Sequence, residues 1–171
     1  MSSRGGPDLT DILFVCTGNI CRSPMAEALL KETLGRRGIF GVTVSSCGLQ
    51  ANPWSPAEPR LGIVIGNAYK FLKEFRSRPI TPELVLEADA ILAMEERQVR
   101  EVLARFPEAR GKVYTVTSFA GEKGDIYDFL DSNSGDFLEW LKSSYSTLDQ
   151  CLNKVIDRVL KHDFTSRGLG L

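Results

Sequence analysis

Short apolar runs alternate along the chain with stretches of helical periodicity. Four apolar or β-branched runs predict buried strands, at 11–15, 42–46, 89–94 and 112–116. Helices are predicted at 23–34, at 57–72 with interruptions by Gly62 and Gly66, from Thr81-Pro82, at 95–106, and at about 136–161. Strands that alternate with helices indicate an α/β fold with a parallel sheet and helices on both of its faces.

The last predicted helix carries an apolar stripe at alternating steps of four and three. Its members are Leu141, Tyr145, Leu148, Leu152, Val155 and Val159. The stripe fits a partner-binding seam or a helix packed on its own sheet, and its shortness favours packing on the sheet.

The chain of 171 residues has the length of one domain, which we place at 11–162. Residues 1–10 and 163–171 are short, contain Gly and Ser and lack periodicity, so we expect flexible tails there. The net charge of −1 predicts no general attraction to nucleic acid or to an anionic membrane, so any anion must be bound at a local site.

The cysteines are few and scattered, which is unlike a disulfide scaffold; they are Cys16, Cys21, Cys47 and Cys151. No signal peptide or membrane span is visible in the sequence, and we expect a cytoplasmic protein. His162 is the only histidine and no C-x2-C pair occurs, so neither a metal nor another cofactor is expected. Buried packing is the default interpretation for Cys47 and Cys151.

The segment CTGNICR, at 16–22, follows the first strand and precedes a predicted helix. Gly18 and Asn19 tolerate unusual backbone conformations, so the loop can turn its N–H groups inward around an anion. Ser23 and Pro24 suit the N-cap and first position of the helix, whose N-terminus favours negative charge. Arg22 adds a fork that can hold two phosphate oxygens.

The same field would stabilise a thiolate at Cys16, which could attack a bound phosphoryl group without help from a histidine. Taken one by one, Cys16 fits an inert core thiol or a disulfide with Cys21, and Arg22 fits a surface charge. Their joint placement between a strand and a Ser-Pro helix start favours a phosphate site.

The stretch VCTGNICRSPMAE resembles the signature of the low-molecular-weight protein tyrosine phosphatases, and VSSCGL, RPITPEL, ADAILAM and KVYTVTSFAG follow in the family's order over residues 11–160. The resemblance implies a flavodoxin-like four-stranded parallel sheet and metal-free hydrolysis of phosphotyrosine or small aryl phosphates. It also implies that Cys16 is the nucleophile, that Arg22 clamps the phosphoryl group, and that the Ser23 hydroxyl donates to the Cys16 sulfur. The remaining phosphate-binding residues that it implies are Thr17, Gly18, Asn19, Ile20 and Cys21. Inorganic phosphate or sulfate would bind in the same place.

The general acid of the family belongs to an Asp-Pro-Tyr segment, and no Asp-Pro occurs in GDIYDFLDSNSGDFLEW. We favour Asp128, because D-I-Y-D resembles a bacterial D-I-P-D-P form with Phe129 at the proline position. Asp131 is the second choice and Asp125 a third, whereas Asp136 is better explained as a helix cap. Trp54, Tyr127 and Phe129 are candidates for the substrate wall.

Other functions stay open at this point. Arginine phosphatases of this fold resemble CTGNTCRSP, and the apolar Ile20 in place of that threonine favours phosphotyrosine. A weakly active or inactive phosphate-binding module would fit the altered acid segment. Arsenate reductases need a later cysteine pair, which is missing between Cys47 and Cys151. Cys21 could also trap an oxidised Cys16 as a disulfide, adding redox control to a phosphatase.

Overall fold

The computed structural model describes residues 10–161. The predicted C-terminal tail, His162 and the predicted N-terminal tail up to residue 9 therefore lie outside the described residues. Thr10, which we had assigned to the tail, is the first residue of a strand.

The elements alternate as predicted, with small changes at their ends and one short helix after the last strand that was not predicted. The strands are β1 (Thr10–Cys16), β2 (Val42–Gly48), β3 (Ala90–Ala93) and β4 (Val113–Thr115). The helices are α1 (Arg22–Arg36), α2 (Leu61–Ile65), α3 (Pro82–Glu87), α4 (Glu96–Arg105), α5 (Val116–Phe119) and α6 (Phe137–Leu160). Turns of 3-10 helix span Gly66–Leu72, Pro107–Ala109 and Phe129–Asp131.

The four strands form one parallel sheet in the order β2-β1-β3-β4. The strand β1 is the turning point of this order, because β2 lies on one side of it and β3 on the other. Ligands of open parallel sheets bind beyond the carboxyl ends of the strands at such a point. The loop that starts at Cys16 is therefore placed where the topology favours a binding site.

Both faces of the sheet are covered, as predicted. Ile12 and Phe14 of β1 belong to a core cluster that includes buried residues of α1 and α6. Leu13 and Val15 face the other way, into a second cluster with residues of α3 and α4. The alternation follows from the two-residue period of a strand.

The helix α6 packs on its own domain. Five of the six stripe residues are buried and Tyr145 is half-buried against the same core cluster. The partner-seam alternative is thereby excluded. Among the described helices, none combines the length and the apolar character that crossing a membrane requires.

Two local predictions are wrong. The predicted helix at 57–72 is a five-residue helix followed by a 3-10 turn, because Gly66 takes a φ of 55° that breaks the α-helical path. The helix α1 begins at Arg22 rather than after Ser23, with Cys21 as its N-cap and no capping side chain. Ser23 and Pro24 are thus its second and third residues.

Candidate active site

The loop between β1 and α1 turns at Asn19. This residue takes a left-handed φ of 55°, and its backbone N–H donates to the sulfur of Cys16 at 3.2 Å. We expected Gly18 to provide the unusual conformation as well, but its φ is not left-handed and a Cβ there would meet only Ile20 at 3.8 Å. The turn therefore depends on Asn19, whose side chain holds the strained backbone in place.

The sulfur of Cys16 lies 2.9 Å from the hydroxyl of Ser23. The Asn19 side-chain amide donates to that hydroxyl at 2.9 Å, so the Ser23 hydrogen points elsewhere. Two acceptors lie within reach of the Ser23 hydroxyl, the Cys16 sulfur and the more distant Cys47 carbonyl oxygen at 3.4 Å. The contact with the sulfur is the shorter of the two, and Ser23 does not cap α1 because it is the second residue of that helix.

Asn19 is fully buried and spans the base of the loop. Its amide nitrogen also donates to the hydroxyl of Ser46 at 3.0 Å, and its carbonyl oxygen accepts from the backbone N–H of Arg78 at 2.9 Å. Behind it, a Cβ on Gly48 would lie 2.7 Å from the carbonyl oxygen of Thr17. The end of β2 is thus in close contact with the loop, and only glycine leaves the room.

The guanidinium of Arg22 is 2% exposed and lies between two carboxylates. Its Nη1 donates to Glu95 Oε2 at 2.7 Å and to the carbonyl of Ile126 at 2.8 Å, and its Nη2 donates to Asp128 Oδ2 at 2.9 Å. Of the five N–H hydrogens of a guanidinium, the one on Nε and the second on Nη2 have no acceptor within residues 10–161. These two hydrogens are available for a bound anion.

Glu95 and Gln98, which the sequence analysis missed, support the site from α4. Glu95 is buried and accepts from Arg22, Arg97 and Gln98. Gln98 donates to the Thr17 hydroxyl at 3.1 Å and accepts from the backbone N–H of Glu95. The two residues form a reciprocal capping box at the start of α4, and the E-x-x-Q spacing directly after an apolar strand was the available signal.

The four candidate aspartates occupy different surroundings. Asp128 alone contacts Arg22, and its Oδ1 accepts from Leu130 N–H at 3.1 Å. Asp131 pairs with Arg97 at 3.4 Å, and Asp125 accepts from the backbone N–H of Glu96. Asp136 is the N-cap of α6, as predicted, and accepts from Glu139 N–H at 3.0 Å.

The aromatic candidates differ in exposure. Trp54 is 79% exposed with a left-handed φ of 69°, and Tyr127 is 53% exposed. Phe129 is half-buried, with its ring 5.2 Å from Phe137 and 5.8 Å from Trp140. On the loop itself, Ile20 is 39% exposed.

The other thiols differ from Cys16 in their surroundings. All four cysteines are free. Burial, with a smaller effect of the neighbouring Cys16, raises the pKa of Cys21 to about 12. Burial likewise raises the pKa of Cys47 to about 12, and it raises the pKa of Cys151.

The arrangement combines a sulfur with two hydrogen-bond donors, a guanidinium with unused donors and a carboxyl group beside it. These groups suit attack on a tetrahedral phosphoryl group with proton transfer to its leaving group. Nowhere in residues 10–161 do three or more His, Cys, Asp or Glu side chains come together in a way that could hold a metal ion.

The chain is similar to known protein phosphatases. A protein-arginine-phosphatase of Bacillus subtilis is 35% identical over 152 residues, covering 88% of this chain and 97% of that protein. The Escherichia coli low molecular weight protein-tyrosine-phosphatase Etp is 42% identical over 101 residues, covering 59% of this chain and 65% of that protein. The structure of the YwlE arginine phosphatase from Geobacillus stearothermophilus superposes with a TM-score of 0.76 at 32% identity, covering 90% of this chain and 95% of the other. The sequence model of the family of low molecular weight phosphotyrosine protein phosphatases matches residues 11–163, and the chain belongs to that family.

Proposed function

We propose that the protein hydrolyses aryl phosphate monoesters, phosphotyrosine among them, through a phosphocysteine intermediate. The observation that carries the proposal is the contact between Arg22 and Asp128, which are 106 residues apart, beside the loop that starts at Cys16 at the carboxyl end of β1. Family membership supports the same reaction class.

In the first step the Cys16 thiolate attacks phosphorus, so that the S–P bond forms while the bond to the phenolic oxygen breaks. The unused hydrogens of Arg22, together with loop amides from Thr17 onward, hold the phosphoryl oxygens. Protonated Asp128 gives its proton to the departing phenolic oxygen. The products of this step are the phenol and phosphocysteine.

In the second step the Asp128 carboxylate takes a proton from water. The water oxygen attacks phosphorus, the S–P bond breaks, and inorganic phosphate is released. The electron pair of the broken bond returns to sulfur, where the Ser23 hydroxyl and the Asn19 N–H stabilise the thiolate. Asp128 is then protonated again and ready for the next turnover.

Ile20 supports an aromatic substrate. Its exposed apolar side chain offers a phenol ring contact but offers a guanidinium no hydrogen bond. Trp54, Tyr127 and Phe129 are proposed to form the wall beside it. Inorganic phosphate and sulfate should compete for the same cradle.

The B. subtilis relative favours a second candidate, hydrolysis of phosphoarginine, because its similarity extends over most of both chains. Two peptides of one sequence, one with phosphotyrosine and one with phosphoarginine, distinguish the candidates. We expect faster phosphate release from the phosphotyrosine peptide, with Ile20→Thr reducing that preference. Faster release from the phosphoarginine peptide would overturn our choice of substrate.

Phosphate release from an aryl phosphate without added metal tests the reaction itself. We expect turnover by wild type, none by Cys16→Ser, and a loss of about 10²–10⁴-fold in Asp128→Ala. Asp149→Ala, on the exposed side of α6, is the matched control. A loss of turnover in Asp131→Ala or Asp125→Ala instead would assign the general acid to that residue. Phosphate binding without turnover would indicate a binding module.

We also propose that the protein acts in the cytoplasm. The support is that all four cysteines are free and three of them are buried, which suits a reducing compartment.

A further inference from the structure

The segment that carries Asp128 has little regular structure of its own. Between Ile126 and α6 it contains only the 3-10 turn Phe129–Asp131. Phe129 stands at the proline position of the D-I-P-D-P form that this segment resembles, and a phenylalanine does not fix its own φ as a proline ring does. The position of Asp128 therefore depends on its own contacts with Arg22 and Leu130 and on contacts made by its neighbours.

Those contacts come from three rings, here named the aromatic cluster: Phe129 of the 3-10 turn, and Phe137 and Trp140 of the first turn of α6. Their ring centroids lie 5.2–5.8 Å apart in edge-on or tilted pairs. The indole N–H of Trp140 also donates to the carbonyl oxygen of Tyr127 at 2.9 Å. Both neighbours of Asp128 in the chain are thus held by the first turn of α6.

Arg60 contacts the aromatic cluster at the Phe137 ring. Its guanidinium carbon lies 3.9 Å from the centroid of the Phe137 ring. Glu58 orients the guanidinium through two hydrogen bonds, at 2.7 Å from Nε and 3.1 Å from Nη2. The backbone N–H of Glu58 in turn donates to the carbonyl oxygen of Ile20 at 2.9 Å.

A continuous series of contacts therefore joins the two parts of the active site. It runs from Ile20 in the phosphate loop through Glu58 and Arg60 to Phe137, and from there through Phe129 to Asp128. We propose that Arg60 is a positioning residue for proton transfer by Asp128, which it fixes through the aromatic cluster. The proposal rests on the function proposed above.

The expected defect is selective for the leaving group. Removal of the cation frees the Phe137 ring and loosens the acid segment, whereas the contacts of Cys16 and Arg22 do not involve Arg60. A poorly positioned acid should slow a substrate whose phenolate is a poor leaving group more than one whose phenolate leaves without protonation.

The experiment measures kcat/KM for phenyl phosphate and for 4-nitrophenyl phosphate with wild type, Arg60→Met and Arg60→Lys. The value of kcat/KM reports the steps up to phosphocysteine formation, where the acid acts. For Arg60→Met we expect a fall of about two- to fivefold with phenyl phosphate, the size of one exposed cation–π contact, and a smaller fall with 4-nitrophenyl phosphate. Arg60→Lys should recover part of the loss, and inhibition by inorganic phosphate should not change.

Two further variants separate this role from others. Arg110→Met is the matched control, because Arg110 is exposed and lies near the amino end of β4, at the edge of the sheet away from Cys16. Phe137→Leu should reproduce the selective defect, and the double variant Arg60→Met/Phe137→Leu should be no worse than the more severe single variant.

Equal losses with both substrates would show that Arg60 attracts the phosphate dianion or stabilises the fold, and would overturn the proposal. No loss with either substrate would also overturn it. If wild type released phosphate from neither substrate, the proposed function would fail first, and this proposal with it. If wild type releases phosphate and Cys16→Ser does not, the proposed function holds, and any failure then concerns the role of Arg60 alone.

Discussion

Glu95→Gln is the substitution whose consequence the structure defines most sharply. Glu95 is 3% exposed and Arg22 2% exposed at the side chain, and their atoms lie 2.7 Å apart. Glutamine keeps the size of the side chain but removes its charge, and it replaces one of the two oxygens that accept from Arg22, Arg97 and Gln98 by an N–H donor. The variant therefore measures how much folding free energy is lost when the buried charge of Arg22 has no charge on its closest partner.

The expected cost follows from the burial of the pair. Loss of one partner of a buried ion pair costs about 3–5 kcal/mol, because the other charge stays buried without compensation. Asp128 still contacts Nη2 at 2.9 Å but is 33% exposed, so it compensates only in part. We expect a loss near the lower limit, about 3 kcal/mol, and a fall in Tm of about 6–12 °C for a chain of this size.

Denaturant and thermal unfolding measure the effect, with Glu96→Gln as the control at the adjacent exposed position. The control should stay within about 0.5 kcal/mol of wild type. Adding Arg22→Met to Glu95→Gln should restore at least about 1 kcal/mol of the lost free energy of unfolding, because it removes the uncompensated charge. Equal stability of Glu95→Gln and wild type, or additive losses in the double variant, would refute the reasoning.

Three further predictions concern the loop and the opposite end of the sheet. Gly48→Ala should lower the free energy of unfolding by about 1–3 kcal/mol and weaken inhibition by phosphate. The reason is that the new Cβ would lie 2.7 Å from the Thr17 carbonyl oxygen. Chemical denaturation measures the first effect and inhibition assays measure the second. Mild peroxide should join Cys16 to Cys21 with a loss of two hydrogens in intact mass, and stable over-oxidation of Cys16 would contradict this. Because the pKa of Cys21 is about 12, its thiolate fraction and hence the rate of disulfide closure should rise about tenfold from pH 7 to pH 8, which quenched mass spectrometry after a brief peroxide pulse can follow. Lys112→Met should destabilise the fold by about 2 kcal/mol in urea unfolding, since its ammonium group donates to three carbonyl oxygens at the end of α3.

Local patterns predicted most of the fold. The four apolar runs became the four strands, and the stripe of the last helix is buried as expected. The predictions failed where a side chain or a backbone had two possible uses. Ser23 is a good N-cap residue by type, yet its hydroxyl contacts the Cys16 sulfur and α1 begins one residue before it.

In the candidate site, too, some residues were predictable from local sequence and others were not. Cys16 and Arg22 were predictable because six positions and one turn separate them, and a short loop after a strand is a local feature. The choice among the aspartates rested on the resemblance, since the charges of Asp128 and Asp131 look alike in the sequence. The structure distinguishes them, because Asp128 contacts Arg22 and Asp131 contacts Arg97.

The sequence by itself determined the order of the elements and the place of the phosphate loop, because strand and helix periodicities and the motif CTGNICR are local properties. Only the tertiary structure decided that Arg22 meets Glu95 and Asp128, which are 73 and 106 residues away. Those contacts exist because β1 and β3 are neighbours in the sheet. Strand order is a consequence of how all the apolar faces are buried together, and no single segment of the chain encodes it.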